Sequence, residues 1–343
     1  MAEVSAQQHI ELAEIEAARA RLAGRIARTP LLSSRTAARW VAAAGPVRLA
    51  DDRLHLKAEH LQTTGSFKAR GTSNRLLTLP PEAAARGVIT LSAGNAGQAY
   101  AWAGASIGVP VTVVMPAGAV RAKVDACRGY GARVVLHGNH VGEAFAEMER
   151  IRDREGLELV HPFDDPAVIA GHGTLALELV EDLPDVDAVV VPVGGGGLIC
   201  GVAAALKAVR PECRVYGVEP ERSNALSLAI ERGEIVRIEP ESVADGLGAP
   251  FAGTWTLALG RRLLDGIVLI DDPTILAGMR FALGRLKQVL EPAGAAGLAA
   301  VLAGLVPLRD GDRIAVVLSG GNVETDRLAG LVDGARRLPG DAS

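Results

Sequence analysis

Residues 191–198 read VPVGGGGL, an apolar run that ends in four consecutive glycines, after which LICGVAAALKAVR (198–210) has a helical pattern. A strand that turns through glycine into a helix is the repeating unit of an α/β sheet, and the same rhythm extends outward from this point in both directions. Candidate strands are GVITL (87–91), VTVVM (111–115), ARVVL (132–136), LELV (157–160), DAVVVPV (187–193), CRVYGV (213–218), GIVLI (266–270) and RIAVVL (313–318). Ala-rich segments of helical period lie between them, for example 96–108 and 119–131. Several runs are apolar throughout rather than alternating, which suits parallel strands buried on both faces. Such sheets carry ligands at the carboxyl ends of their strands. At 343 residues the chain exceeds what one core usually organises, so two domains are expected. Pro80-Pro81 and HPFDDP (161–166) are the punctuation marks that bracket one of them.

The glycines themselves point to a ligand or to a turn. Four in series are costly to order, and a cap needs only one. A bare row of N–H groups at a helix N-terminus is a cradle for a phosphate. A dinucleotide fingerprint would need glycine at 199 or 200, where Ile199 and Cys200 stand, and the G-K-[ST] ending of a nucleotide loop is also missing. No nucleotide is implied. Two other strands run into small residues. LSAGNAGQAY (91–100) reaches a helix near Asn95, where Ser92 and Asn95 either cap the helix or help hold an anion. VVLSGGNVET (316–325) reaches Ser319 and, alone, reads as a turn. TTGSFKARGTSN (63–74) places Lys68 at a helix start directly after Phe67. It is either a solvated helix residue or an amine that reacts. A phosphorylated aldehyde held as an imine would use all four places.

The composition removes several classes of function. The chain is 49% apolar and 22% charged, with a net charge of -4 and 3% aromatics. Neither the electrostatic nor the stacking surface of a nucleic-acid binder is present. The longest apolar runs, such as 298–308, fall short of the roughly 20 residues that span a bilayer. The N-terminal stretch carries four glutamates and no apolar core, so it reads as neither signal nor transit peptide. Three cysteines (Cys127, Cys200, Cys213) without C-x-x-C predict neither a disulfide framework nor a zinc site, and fit a reducing cytoplasm.

TGSFKARG, SAGNAGQA, HPFDDPAVIAGHGT, VPVGGGGL, EPAGAAGLAA and LSGGN occur in that order. Together they resemble the pyridoxal-phosphate-dependent threonine/serine dehydratase and serine racemase family, of the tryptophan synthase β-subunit-like fold type II. The resemblance runs from about residue 25 to Asn322. It implies two α/β domains, each a mostly parallel twisted sheet flanked by helices: a large one of residues 1–80 and 163–343, and a small mobile one of residues 81–162 carrying the Ser-Ala-Gly-Asn loop. It implies pyridoxal 5′-phosphate as cofactor, bound to Lys68 as an imine, with Lys68 later removing the substrate's Cα proton. By the same resemblance Phe67 lies beside the cofactor ring. Gly194, Gly195, Gly196 and Gly197 bind the phosphate, Asn95 bonds the 3′-oxygen and Ser319 faces the pyridine nitrogen. The substrate's carboxylate falls to Ser92, Ala93, Gly94, Asn95 and Ala96. A neutral serine opposite the ring nitrogen favours β-elimination over transamination, giving a 2-oxo acid and ammonia from L-threonine or L-serine.

Departures within the motifs refine this. Racemases of this type place a serine where Ala93 stands, and an alanine has no proton to return to the opposite face. A dehydratase is therefore expected, with serine racemase as the alternative. Ala69 stands where threonine synthases usually have aspartate, which makes that replacement chemistry the weaker reading. Ala96 replaces a common histidine and His172 a common glutamine, leaving room for a bulkier 3-hydroxy amino acid such as 3-hydroxyaspartate or phenylserine. Glu219 matches a glutamate that binds a divalent cation in some relatives, but its partner position is Ala225. Glu219 is thus expected to be a solvated side chain on a surface loop, with no metal bound. Asp245 is a further acidic group near the rim, without a catalytic role. Isoleucine feedback is not expected, since about twenty residues follow LSGGN. The resemblance also implies a homodimer.

Overall fold

A computed structural model describes residues 8–342. Residues 1–7 of the N-terminal stretch read above, and Ser343 at the end of the large-domain range, lie outside it. The strands are β1 (Leu31–Ser34), β2 (Leu54–Lys57), β3 (Val88–Leu91), β4 (Val111–Met115), β5 (Arg133–Leu136), β6 (Glu158–Leu159), β7 (Ala188–Pro192), β8 (Arg214–Pro220), β9 (Gly266–Ile270) and β10 (Ile314–Val317). The helices before β3 are α1 (Leu12–Leu22), α2 (Arg35–Ala44), α3 (Lys68–Leu77) and α4 (Pro81–Arg86). Those that follow are α5 (Asn95–Ile107), α6 (Arg121–Gly129), α7 (Val141–Glu155), α8 (Pro166–Asp182), α9 (Gly197–Val209), α10 (Ala225–Arg232), α11 (Thr254–Leu263), α12 (Asp272–Phe281), α13 (Pro292–Leu302) and α14 (Thr325–Asp333).

Two sheets result. One has six strands in the order β1-β2-β10-β7-β8-β9, parallel except for the β1–β2 pair. The other has four parallel strands in the order β5-β4-β3-β6, all between residues 88 and 159. The apolar runs are continuous because both faces are covered. In β7, Ala188 and Val190 join the core under α12 and α13, whereas Val189 and Val191 join the core under α8 and α9. Ile314 and Val316 alternate with Ala315 and Val317 in the same way. In the small sheet Val113 packs toward α5 and α6, and Val114 toward α7. A strand period of two thus divides one greasy run between two cores.

The structure places a strand in every segment proposed from sequence, and adds β1 and β2. These two are short, and β2 ends on a lysine, so neither shows the uninterrupted apolar run of the others. Among the described residues no helix is long and apolar enough to cross a membrane. All three cysteines are buried and unpaired.

Helices α3 and α8 cross at glycines. A Cβ at Gly171 would lie 2.8 Å from both the Arg70 carbonyl oxygen and the Gly71 Cα. One at Gly71 would lie 2.4 Å from the His172 ring. This close approach sets Lys68, at the head of α3, beside the segment that precedes α8.

One expectation is corrected here. Glu219 is not a solvated loop residue; it lies on β8 and is 0% exposed. Its two oxygens accept the backbone N–H groups of Leu226 and Ser227, both at 2.9 Å, so it ties down the start of α10. Burial raises its pKa to about 7. The native chain therefore holds that proton more tightly than the unfolded one, and stability falls as pH rises from about 4.5 to about 7. Glu219→Gln is expected to abolish this slope. In chemical denaturation the variant should gain about 2–3 kcal/mol on the parent between pH 4.5 and 8; a constant difference would contradict the assignment.

Candidate active site

Lys68 opens α3, and its Nζ donates to the Pro162 carbonyl at 2.8 Å while lying 5.0 Å from the centroid of the Phe67 ring. Burial alone lowers its pKa to about 8, because a charge withdrawn from water is disfavoured. Two imidazoles near it are held neutral. His161 is pushed down to about 4 by burial and then by the lysine's charge. His172, fully buried on α8, is pushed well below its ordinary value by burial, then by Lys68 and Arg70. Its ring meets Phe67 edge-on at 4.8 Å, and neither ring nitrogen has a hydrogen-bond partner among the described residues.

The end of β10 is stitched to the lysine loop through backbone. Phe67 N–H donates to the Ser319 carbonyl at 3.1 Å, Ser66 forms a bridge with Gly320, and Gly321 N–H donates to Gly65 at 2.9 Å. Ser319, 3% exposed, is thereby fixed next to the Phe67-Lys68 pair.

The four glycines join β7 to α9. Gly196 has φ +89°, in the left-handed region that favours glycine. The other side of the loop is filled: a Cβ at Gly195 would lie 2.4 Å from the Phe163 ring, and one at Gly197 would lie 2.6 Å from the Phe163 carbonyl. None of the N–H groups of Gly194, Gly195, Gly196 and Gly197 donates to a protein acceptor among the described residues. A loop that only turned the chain would not need to leave this row of donors unpaired. Free N–H groups at a helix start, with a desolvated amine nearby, fit a phosphorylated aldehyde.

Residues 161–164 bring these parts together. Pro162 accepts the lysine amine, and Phe163 presses on the glycines. Asp164 accepts the N–H groups of Thr254, Trp255 and Thr256 at 3.0–3.1 Å, anchoring the segment on the start of α11. The His161 carbonyl accepts the Tyr100 hydroxyl at 2.8 Å, reaching α5.

The loop before α5 has a mixed character. The Ser92 hydroxyl oxygen accepts the N–H groups of Gly94 at 3.3 Å and Gly97 at 3.0 Å, so part of its role is local capping. The N–H groups of Ala93, Asn95 and Ala96 donate to no protein acceptor among the described residues. The Asn95 amide donates to Glu291 at 2.6 Å and accepts from Asn322 at 2.9 Å, and Asn322 also donates to the Thr64 carbonyl at 2.8 Å. Ala96 is 4% exposed. A cavity of about 310 Å³ adjoins this clasp, lined among others by Gln98, Lys123, Asp245, Glu291, Asn322 and Arg327. Lys123 and Asp245 form an ion pair at its wall. Glu291, 3% exposed, has its pKa raised to about 7 by burial and by Asp245, against Lys123 and the Asn95 amide.

Thus the structure gathers Lys68, Phe67, Ser319 and the glycine loop directly, and links Asn95 to them through Asn322 and Thr64. Sequence reasoning missed Pro162, Phe163, Glu291 and Asn322 as participants. The last two open and close quoted motifs, EPAGAAGLAA and LSGGN, which was the signal available.

Comparison with known proteins finds relatives over most of the chain. L-threonine ammonia-lyase of Thermotoga maritima is 43% identical over 83% of this chain and 72% of its own. The catabolic L-threonine dehydratase TdcB of Staphylococcus aureus is 36% identical over 94% and 92%. The solved structure of maize serine racemase superposes with a TM-score of 0.87 at 33% identity, covering 94% of this chain and 96% of that one. Residues 22–320 match the pyridoxal-phosphate dependent enzymes, and the chain belongs to that family.

Proposed function

We propose that the chain is a dehydratase that eliminates water from L-threonine or L-serine, the resulting enamine then taking up water and releasing ammonia to leave 2-oxobutanoate or pyruvate. The observation that carries the reading is a lysine amine of lowered pKa, tied through Pro162 and Phe163 to a loop whose four peptide N–H groups have no partner among the described residues, with an alanine at position 93. The relatives named for threonine deamination support it.

Pyridoxal phosphate supplies the electron sink that makes the Cα–H bond breakable. The chain's residues do the rest. The N–H groups of Gly194–Gly197 are proposed to hold the phosphate, with Phe67 beside the ring, Ser319 facing the pyridine nitrogen and Asn95 reaching the 3′-oxygen. The free N–H groups of the 92–96 loop, at the positive end of α5, hold the substrate carboxylate. Lys68, whose lowered pKa leaves part of it neutral near pH 7, takes the Cα proton. Ala93 has no proton to deliver from the other face, so loss of the β-hydroxyl outruns inversion.

Residues 81–162 are proposed as a small mobile domain closing on 1–80 and 163–343. The Lys123–Asp245 and Asn95–Glu291 contacts cross that boundary and support the reading. No metal is proposed, because both Glu219 oxygens are spent on α10. A cytoplasmic homodimer is the proposed setting. Buried free thiols and exposed apolar side chains such as Leu61 and Phe145 are consistent with it.

Ammonia and 2-oxo acid release from L-threonine and L-serine tests the function. Both products are expected, with activity down at least about a thousandfold in Lys68→Ala; binding without ammonia release would refute the proposal. In Ala93→Ser, racemisation of L-serine is expected to rise at least about tenfold relative to elimination, scored by chiral chromatography. An unchanged ratio would remove Ala93 as the determinant.

A further inference from the structure

Behind the lysine lies a network that the proposed chemistry does not use. Lys57, Glu59 and Arg70 are 0% exposed and Glu178 is 8% exposed, so two cations and two carboxylates share one dry site. Arg70 Nε and Nη2 donate to the two Glu59 oxygens, both at 2.8 Å, in a parallel fork. Its Nη1 and Nη2 also donate to Glu178 at 2.7 and 2.9 Å, and Nη1 reaches Thr174 at 3.2 Å. Lys57 donates to Glu178 and to the Thr29 carbonyl, both at 2.7 Å, and the Thr29 hydroxyl donates to Glu59. Every charge is matched.

Such networks are seldom more stabilising than apolar packing of the same volume, and what they supply is geometry. The geometry needed here concerns the start of α3. That helix begins on Lys68 with no capping side chain: Phe67, at the cap position, makes no side-chain cap bond. No side-chain cap thus fixes the first turn, and the loop before it is held to the end of β10 through backbone. Arg70 follows Lys68 by two residues, which places the two side chains on nearly opposite faces of the helix. Lys68 turns to Pro162, and Arg70 turns into the network. Its fork grips Glu59, two residues after the end of β2, and its other bonds reach α8.

We propose that the Arg70–Glu59 fork is the positioning element of Lys68, fixing the first turn of α3 from its buried face so that the amine is held at its reacting place. A guanidinium can make a planar two-point contact that an ammonium cannot. An ångström of misplacement at a reacting group is enough to cost about a hundredfold in rate.

Arg70→Lys retains the charge and loses the fork. In the cofactor-loaded enzyme its kcat on L-threonine is expected to fall at least about thirtyfold, with KM within about twofold and full cofactor occupancy. The circular dichroism of the visible cofactor band should change as well, since it reads orientation. Thr29→Val is the milder arm, removing only the hydroxyl that orients Glu59, and should show the same pattern with a kcat loss of about threefold to tenfold. It carries the test if Arg70→Lys does not fold. Activity lost only in proportion to folded or cofactor-loaded protein, or kcat unchanged in the variant that folds, would overturn the proposal. The inference rests on Lys68 as the attachment residue. A visible band that survives in Lys68→Ala removes that premise, whereas a band lost there with Arg70→Lys at parental kcat removes only the role of Arg70.

Discussion

The site depends on one constraint: an amine largely withdrawn from water must be tied to a row of peptide nitrogens that have no partner among the described residues. The two come from distant stretches, Lys68 and Gly194–Gly197, and neither is positioned by its own neighbours in sequence. Residues 161–164 connect them, with the Pro162 carbonyl on the lysine and the Phe163 ring against the glycines. The same segment is anchored by Asp164 on α11 and reached by Tyr100 from α5. A displacement of this short segment would disturb the amine and the anion cradle together.

Electrostatics around the amine follow one logic. Lys68 is depressed by burial alone, with no charged neighbour among the causes. His161 and His172, which face it from the segment before α8 and from α8 itself, are kept neutral. The cations and carboxylates behind α3 cancel one another. An amine lowered in this way to about 8 is partly neutral at moderate pH and to that extent available as a base, which a solvated lysine is not. Glu291, with its pKa raised to about 7 and bonded to Asn95, puts a further titratable group in the wall of the adjoining cavity.

Much of this was legible in the chain because the decisive signals are local. Strands buried on both faces are continuous apolar runs, and the glycine loop after β7 declares its own backbone. What escaped reading was set by tertiary contact. β2 ends on Lys57, a residue that looks solvent-seeking until Glu178 and Thr29 enclose it. Glu219 resembles a loop carboxylate until α10 arrives to use both its oxygens. Ser92 takes up the capping role that its sequence offered as one alternative, whereas Asn95 bonds Glu291 and Asn322, contacts that no spacing rule predicts. Pro162 acts through its carbonyl, which every residue has, so its identity carried no sign of the contact.

Reducing the cofactor-loaded protein with borohydride and mapping the modified peptide tests the central claim most directly, because it asks which nitrogen holds the cofactor. A single pyridoxyl label on Lys68 is expected, in the peptide containing TGSFKARG. A label on any other residue, or none in protein freshly loaded with pyridoxal phosphate, would contradict it.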